Sequence, residues 1–237
     1  MRVILRVLHR IFFIGNPQSM TKNRIFESME FSFLKCLAFK CWALAVVLFL
    51  LAACSESFTD SRDGQSYGVV EIGNLTWMAE NLNFETPGSF CPENDSRNCK
   101  RYGRLYSWAD AKSVCPEGWR LPTKEDFESL VAVAVGESAK SAGVNGAAGT
   151  ALKARNGWFK KGNGSDALGF KALPAGYRGG DGKFDGIGGY AYFWSATEDA
   201  ENRESNAFYL FLSFSSDAAS LNAFAKEDYK SVRCVKL

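Results

Sequence analysis

The spacing of apolar residues predicts several short strands. Val69–Ile72 and Leu75–Met78 flank the two-residue turn Gly73-Asn74, a pattern typical of a β-hairpin. Leu105–Ala111 has one apolar face and is predicted to form a short helix. Toward the C-terminus, three apolar runs predict further strands: Tyr192–Ser195, Ala207–Phe214 and Ser231–Val235.

The clearest helix is predicted to begin after Thr123. Thr123 can accept a hydrogen bond from the first helical turn, and Asp126 stands three residues later, as in a capping box. Gly136 is expected to end this helix. Its apolar face consists of Phe127, Leu130, Val131 and Ala134.

Glycine-rich sequence from Gly143 to Gly189 predicts irregular loops over a core. The chain is 46% hydrophobic and 14% aromatic, which is enough apolar material for one ordinary domain. We therefore predict an α+β fold over residues 66–237, with short helices packed on small antiparallel sheets and long glycine-rich loops.

An apolar run from Cys41 to Ala53 follows Lys35 and Lys40. As a helix it would be about 20 Å long, shorter than the ~30 Å hydrocarbon layer, so it indicates a signal peptide. Leu51-Ala52-Ala53-Cys54 resembles the lipobox of bacterial lipoproteins, and this resemblance implies lipidation of Cys54. The alternative is an ordinary signal peptide that leaves Cys54 as a thiol.

The N-terminal segment therefore divides into processed and retained parts. Residues 1–53 are expected to be the leader: 29–53 form the signal peptide and 1–28 come from a misassigned start, while 54–65 form a lipidated tether. More than one acyl chain gives stable membrane attachment. Because Ser55 rather than Asp follows Cys54, enterobacterial sorting suggests the bacterial outer membrane by analogy.

Charge and histidine content limit the chemistry. The full chain carries a formal charge of +2, which argues against nucleic acid as a partner. The only histidine, His9, lies in the predicted leader, so the retained domain would have no imidazole. This excludes histidine catalysis and the commonest metal ligand. No cofactor is predicted, although calcium binding stays open.

Four of the seven cysteines remain once the leader and Cys54 are set aside. An even number in an exported chain indicates two disulfides, for which three pairings exist. We favour Cys91 with Cys99 and Cys115 with Cys234. A zinc site is the weaker alternative, because neither His nor Cys-x-x-Cys is present in the retained chain.

Six ordered sequence blocks together resemble the Fibrobacter succinogenes major paralogous domain family. The resemblance runs from about Tyr67 to the C-terminus and implies a C-type-lectin-like fold on exported proteins, with no established activity. The blocks are Ile72–Leu82, Tyr102–Trp108, Cys115–Thr123, Gly169–Arg178, Phe193–Glu198 and Ser231–Val235.

Arg120–Glu128 is also similar to the formylglycine-generating, sulfatase-modifying superfamily. That resemblance implies an enzyme with two neighbouring copper-binding cysteines close to its C-terminus. Cys234 could match one of them, but no second cysteine lies within the preceding hundred residues. An enzyme of this class is therefore the less favoured alternative, and no catalytic residue is assigned.

Candidate ligand-binding residues lie in and around the stretch from Gly176 to Gly189. Lys183 and Tyr192 occupy positions where an EF-hand needs oxygen ligands, and the signatures of sugar-binding lectins are absent from the sequence. Trp158, among glycines and lysines, is predicted to be an exposed aromatic platform. The other candidates are Tyr177, Arg178, Asp181, Asp185, Tyr190 and Tyr192.

The leading hypothesis is a cell-surface lipoprotein whose single domain binds a polysaccharide or an envelope protein. A purely structural envelope protein is a third hypothesis; it predicts no concave aromatic or charged pocket between residues 155 and 200. For the stretch from Gly176 to Gly189 itself, a plain glycine-rich surface loop is the alternative to a ligand site.

Overall fold

A computed structural model describes residues 56–142 and 148–236 of the chain. The strands are β1 Ser57–Thr59, β2 Ser66–Ile72, β3 Leu75–Met78, β4 Leu105–Ser107, β5 Trp119–Arg120, β6 Ala175–Arg178, β7 Phe184–Ile187, β8 Tyr190–Glu198, β9 Asn206–Ser213, β10 Ala219–Ala225, β11 Tyr229–Ser231 and β12 Val235–Lys236. The helices are α1 Ser96–Tyr102, α2 Trp108–Ala111, α3 Lys124–Ala142 and α4 Ala148–Leu152, with a 3-10 turn at Pro92–Asn94. This composition is that of an α+β fold, as predicted.

The smaller sheet contains the predicted hairpin. Its strand order is β1-β2-β3-β12-β5. Val69 pairs with Met78 and Ile72 with Leu75, so the two-residue turn is confirmed. Gly73 begins that turn at a φ of 64°, a conformation that glycine adopts without steric cost. Ser57–Thr59, within the segment expected to be a tether, pairs with the start of β2.

The larger sheet has the order β10-β9-β8-β11-β6-β7, and β4 also pairs with β11. The sheet is mixed rather than wholly antiparallel, because β8 runs parallel to both β6 and β11. Strand β10 was not predicted. Its sequence, Ala219–Ala225, is rich in small and polar residues that have weak strand propensity, and its pairing with β9 decides its conformation.

Helix α3 confirms the predicted capping box. The backbone N–H of Thr123 donates to the Asp126 carboxylate at 2.7 Å, and the Asp126 N–H donates to the Thr123 hydroxyl at 3.3 Å. The expected end at Gly136 is wrong, since the helix continues to Ala142. A single glycine costs a helix only about 1 kcal/mol, which neighbouring turns can offset. Of the predicted apolar face, Phe127, Leu130 and Ala134 are buried against the core.

The helix predicted over Leu105–Ala111 is wrong in its first half. Leu105–Ser107 forms β4, because its backbone pairs with β11. Only Trp108–Ala111 is helical, and the Ser107 hydroxyl caps it by accepting from the Asp110 N–H at 3.1 Å. The glycine-rich stretch is irregular over most of its length but contains α4, β6 and β7.

Two disulfides join the cysteines as predicted. Cys91 is bonded to Cys99 eight residues later, and Cys115 is bonded to Cys234 across 119 residues. The second bond ties the segment before β5 to the segment before β12. The predicted leader and Cys54 lie outside the described residues. Within the described ranges, no helix is both long enough and apolar enough to span a bilayer.

Candidate functional site

The outer face of the larger sheet carries a band of half-buried aromatic side chains. Successive side chains of a strand point to opposite faces of its sheet. On β8 and β9 this alternation sends to the core Ala191, Phe193, Leu210 and Leu212. Tyr190, Tyr192, Tyr209 and Phe211 therefore share the opposite face, where Tyr192 stands directly across from Phe211.

These rings form a continuous surface, which we call the aromatic ledge. Its members are Phe159, Tyr177, Tyr190, Tyr192, Tyr209, Phe211 and Phe214. Adjacent ring centroids lie within ordinary contact distance, from 5.1 Å for Tyr192 and Phe211 to 6.5 Å for Phe159 and Phe214. Tyr190 stacks on Phe211 at 5.8 Å, and Tyr177 meets Tyr192 at 5.2 Å. Phe159 is 54% exposed, so the ledge opens to solvent at that end.

The ledge also carries polar groups that are free to bind. Among the described residues, the hydroxyls of Tyr177, Tyr192 and Tyr209 have no protein hydrogen-bond partner. Tyr106 in the core differs, because its hydroxyl donates to the Phe84 carbonyl at 2.7 Å. Burial raises the pKa of Tyr177, Tyr192 and Tyr209. Their hydroxyls are therefore protonated at neutral pH and can donate as well as accept.

A buried ion pair lies behind the ledge. The Lys230 ammonium is 4.0 Å from the centroid of the Trp194 ring, 5.0 Å from that of Tyr209 and 2.8 Å from the Asp228 carboxylate. Both members of the pair are buried. Burial lowers the pKa of Lys230 to about 8, although Asp228 opposes the shift. The cation attracts the faces of the surrounding rings and so fixes their positions.

Four of the predicted site residues belong to this face. Tyr177, Tyr190 and Tyr192 are members of the ledge. Asp185 is the register partner of Tyr177 on β7 and is exposed. Side chains opposite each other in neighbouring strands lie on the same face, so Asp185 supplies a carboxylate at the edge of the ledge.

Arg178 and Asp181 are not brought to the ledge. Arg178 follows Tyr177 on β6 and points to the other face, where its guanidinium lies 4.2 Å from the centroid of the Phe90 ring. Asp181 lies in the turn between β6 and β7 and forms a 2.9 Å ion pair with Lys183 on the exposed surface.

The prediction that Trp158 is an exposed platform is wrong. Trp158 is only 5% exposed, and its indole N–H donates to the Ala172 carbonyl at 3.0 Å. The backbone at the neighbouring glycines is closely packed. A Cβ on Gly162 or Gly164 would lie 2.3 to 2.5 Å from backbone oxygens, so these glycines allow the backbone to pack tightly. The neighbouring Phe159 takes the exposed position instead.

Sequence reasoning missed Tyr209, Phe211 and Lys230 as members of the site. The apolar run Ala207–Phe214 predicts a strand, but no local pattern indicates which face of that strand is covered by the core. That choice depends on helix α3, which packs on the other side of the sheet.

The thiol chemistry of the formylglycine-generating enzymes has no counterpart at Cys234, whose sulfur is bonded to Cys115. Within the described ranges, no three His, Cys, Asp or Glu side chains group together so as to hold a metal ion.

The fold and the ledge define a disulfide-bonded α+β domain with an aromatic outer face. The chain belongs to the Fibrobacter succinogenes major domain family, whose sequence model matches residues 70–236. This match confirms the resemblance seen in the six sequence blocks. No curated protein and no solved structure matches the chain, and the C-type-lectin-like fold stays a prediction.

Proposed function

We propose that the chain is a lipoprotein of the bacterial cell envelope, anchored in the outer membrane, whose domain binds a polysaccharide through the aromatic ledge. The sequence supports the anchor through the apolar leader and the lipobox-like segment that ends at Cys54. An envelope protein as the partner is the competing form of this proposal.

The observation that carries the proposal is the joint presence of contacting, partly exposed aromatic rings and unpaired hydroxyls on one face of the sheet. Contiguous exposed apolar surface in a soluble domain commonly marks a binding site. Tyrosine combines a rigid apolar ring with a polar tip, so one side chain can stack on the apolar face of a sugar ring and hydrogen-bond its hydroxyls. Within one connected set of rings, the ledge presents four such hydroxyls: those of Tyr177, Tyr190, Tyr192 and Tyr209.

An extended ligand suits the shape of this surface. The ring contacts run without interruption from Phe159 through Phe214, Tyr190 and Phe211 to Tyr192. Such a row can contact several consecutive sugar units. A protein partner would instead be expected to cover the apolar rings and exclude water from the hydroxyls.

Binding can be tested with the full chain in detergent, using a glycan array and pull-down with insoluble cellulose. Phe159→Ala and Tyr190→Ala remove ring faces, and each is expected to weaken binding about tenfold, in line with ~1 to 3 kcal/mol for a stacked ring. Tyr177→Phe keeps the ring and tests the hydroxyl. Phe224→Ala is the matched control, because Phe224 is 58% exposed on β10 but outside the ledge.

Retained binding in both ring-removing variants would exclude the ledge as the site. A wild-type protein that binds no polysaccharide but captures an envelope protein through the ledge would favour the competing proposal. Equal loss in Phe224→Ala would indicate nonspecific adsorption to exposed aromatic residues.

A further inference from the structure

The domain also contains a cleft that is distinct from the aromatic ledge. It is a cleft of about 530 Å³ between the beginning of β2, the segment after β3, helix α1 and the loops around residues 155 and 170. No ledge residue lines it. The proposed function makes no use of it.

Basic side chains predominate in this cleft. Lys100 and Arg101 come from the last turn of α1, while Arg155 and Lys171 come from the loops. All four are exposed, and none has an ion-pair partner among the described residues.

Two carboxylates also line the cleft, and each accepts a hydrogen bond from a backbone amide. Glu80 accepts from the Gly68 N–H at 2.5 Å, and Asp166 accepts from the Lys171 N–H at 2.8 Å. With four cations against two anions, the lining has an excess of two positive charges.

A fifth cationic group, the Arg233 guanidinium, is buried next to the cleft. Arg233 is fully buried, and its Nη2 donates to the Asn81 side-chain oxygen at 2.5 Å. Asn81 itself lines the cleft. Another guanidinium N–H of Arg233 donates to the Phe170 carbonyl, whereas its Nε has no partner. No carboxylate lies within ion-pair distance of Arg233 among the described residues.

The electrostatic environment of Arg233 connects it to the cleft. Burial lowers its pKa to about 9, and the charges of Glu80 and Asp166 oppose that shift. Both of those carboxylates line the cleft, as Asn81 does. The buried guanidinium therefore contributes to the positive potential of the cleft. A buried cation without an ionic partner is costly, and a nearby anion would reduce that cost.

We propose that this cleft binds an oxyanion, a carboxylate or phosphate group carried by a ligand. Arg101 and Lys171 supply exposed cations for the contact, and the buried Arg233 adds positive potential without touching the anion. The Asn81 side chain accepts from Arg233 and donates to the Tyr102 carbonyl at 2.8 Å and the Ser231 hydroxyl at 3.3 Å, so it holds Arg233 in place and does not itself bind the anion. Arginine forms short, charge-assisted hydrogen bonds with such groups. The cleft is thus a charged site that shares no residue with the ledge, and the two can bind independently.

The test is calorimetric titration of the full chain in detergent at low ionic strength. The probes are trigalacturonate, which carries carboxylates, inorganic phosphate, and neutral galactotriose as the reference. The full chain is titrated with the ledge disabled by Phe159→Ala and Tyr190→Ala, so that sugar binding there does not contribute. At least one anion is expected to bind this variant while galactotriose does not. Binding should weaken as salt is raised, because screening reduces the attraction. Trigalacturonate alone would identify a carboxylate as the ligand group, and phosphate alone would identify a phosphate.

The double variant Arg101→Gln, Lys171→Gln is expected to weaken anion binding at least tenfold. Both residues are exposed, so these changes should leave the thermal unfolding midpoint unchanged, which checks the fold. Lys236→Gln is the matched control, since Lys236 is an exposed cation outside the cleft lining. Tyr190→Ala, which alters the ledge, should bind the anion normally.

Three results would overturn the proposal. They are equal binding of galactotriose and the anions, absence of binding by both anions, and a loss in Lys236→Gln as large as in the double variant. Each result is separate from the fate of the ledge, because polysaccharide binding there does not depend on the cleft residues.

Discussion

Removing the long-range disulfide should destabilise the domain far more than removing the local one. The double variant Cys115→Ala, Cys234→Ala opens a loop that spans 119 residues. In the chain-entropy model this costs about 5 kcal/mol at 25 °C. Cys234 is also fully buried, so replacing its sulfur adds a packing loss in the same direction.

The second disulfide provides a matched comparison within the same protein. Cys91→Ala, Cys99→Ala opens a loop of only eight residues in sequence separation, for which the same model gives about 2.5 kcal/mol. The two double variants should therefore differ by at least about 2 kcal/mol. Because a whole domain is typically stable by only ~5 to 15 kcal/mol, the first variant is expected to be partly unfolded at 37 °C.

Urea unfolding, followed by circular dichroism and by tryptophan fluorescence, measures both free energies of unfolding. The wild-type protein under strong reduction serves as an additional control, since it should lose both contributions. Equal destabilisation of the two double variants, or a greater loss from opening the local loop, would refute the reasoning from loop length.

Three further predictions follow from the core and the backbone. Trp158→Ala removes a buried side chain and should lower the free energy of unfolding by about 3 to 5 kcal/mol, measured by urea unfolding. A variant as stable as the wild type would contradict the burial of this ring. Gly136→Ala should stabilise helix α3 by about 0.5 to 1 kcal/mol. Gly176→Ala should instead destabilise the domain, because the added Cβ would lie 2.3 Å from the Asp185 carbonyl oxygen. Lys230 has a lowered pKa in the folded state, so the unfolded state binds more protons and wild-type stability should rise from about pH 8 toward pH 10. That rise should be smaller in Lys230→Met, and identical pH profiles would contradict the assignment.

Local sequence signals predicted the parts of the fold that are governed by neighbouring residues. The turn at Gly73 and the reciprocal hydrogen bonds of Thr123 and Asp126 depend on residues only a few positions apart. The disulfide pairing also followed, because only four cysteines remained and two of them were close in sequence.

The errors arise where distant parts of the chain decide the structure. Leu105–Ser107 is a strand because β11 lies beside it, and Trp158 is buried because the loop backbone around it packs tightly. The ledge was partly predicted through Tyr177, Tyr190 and Tyr192. Tyr209 could be added only once the register of β9 against β8 was known. The charged cleft joins segments that are remote in sequence and left no local signal.

The position of β12 has a consequence for how this protein is made. Val235 pairs with Trp77 on one side and with Arg120 on the other, so β5 is joined to the rest of the smaller sheet only once this segment is available. Contacts across such large sequence separations form slowly. A chain that is still being synthesised therefore cannot complete this sheet, and the disulfide between Cys115 and Cys234 can form only once the C-terminal segment is present.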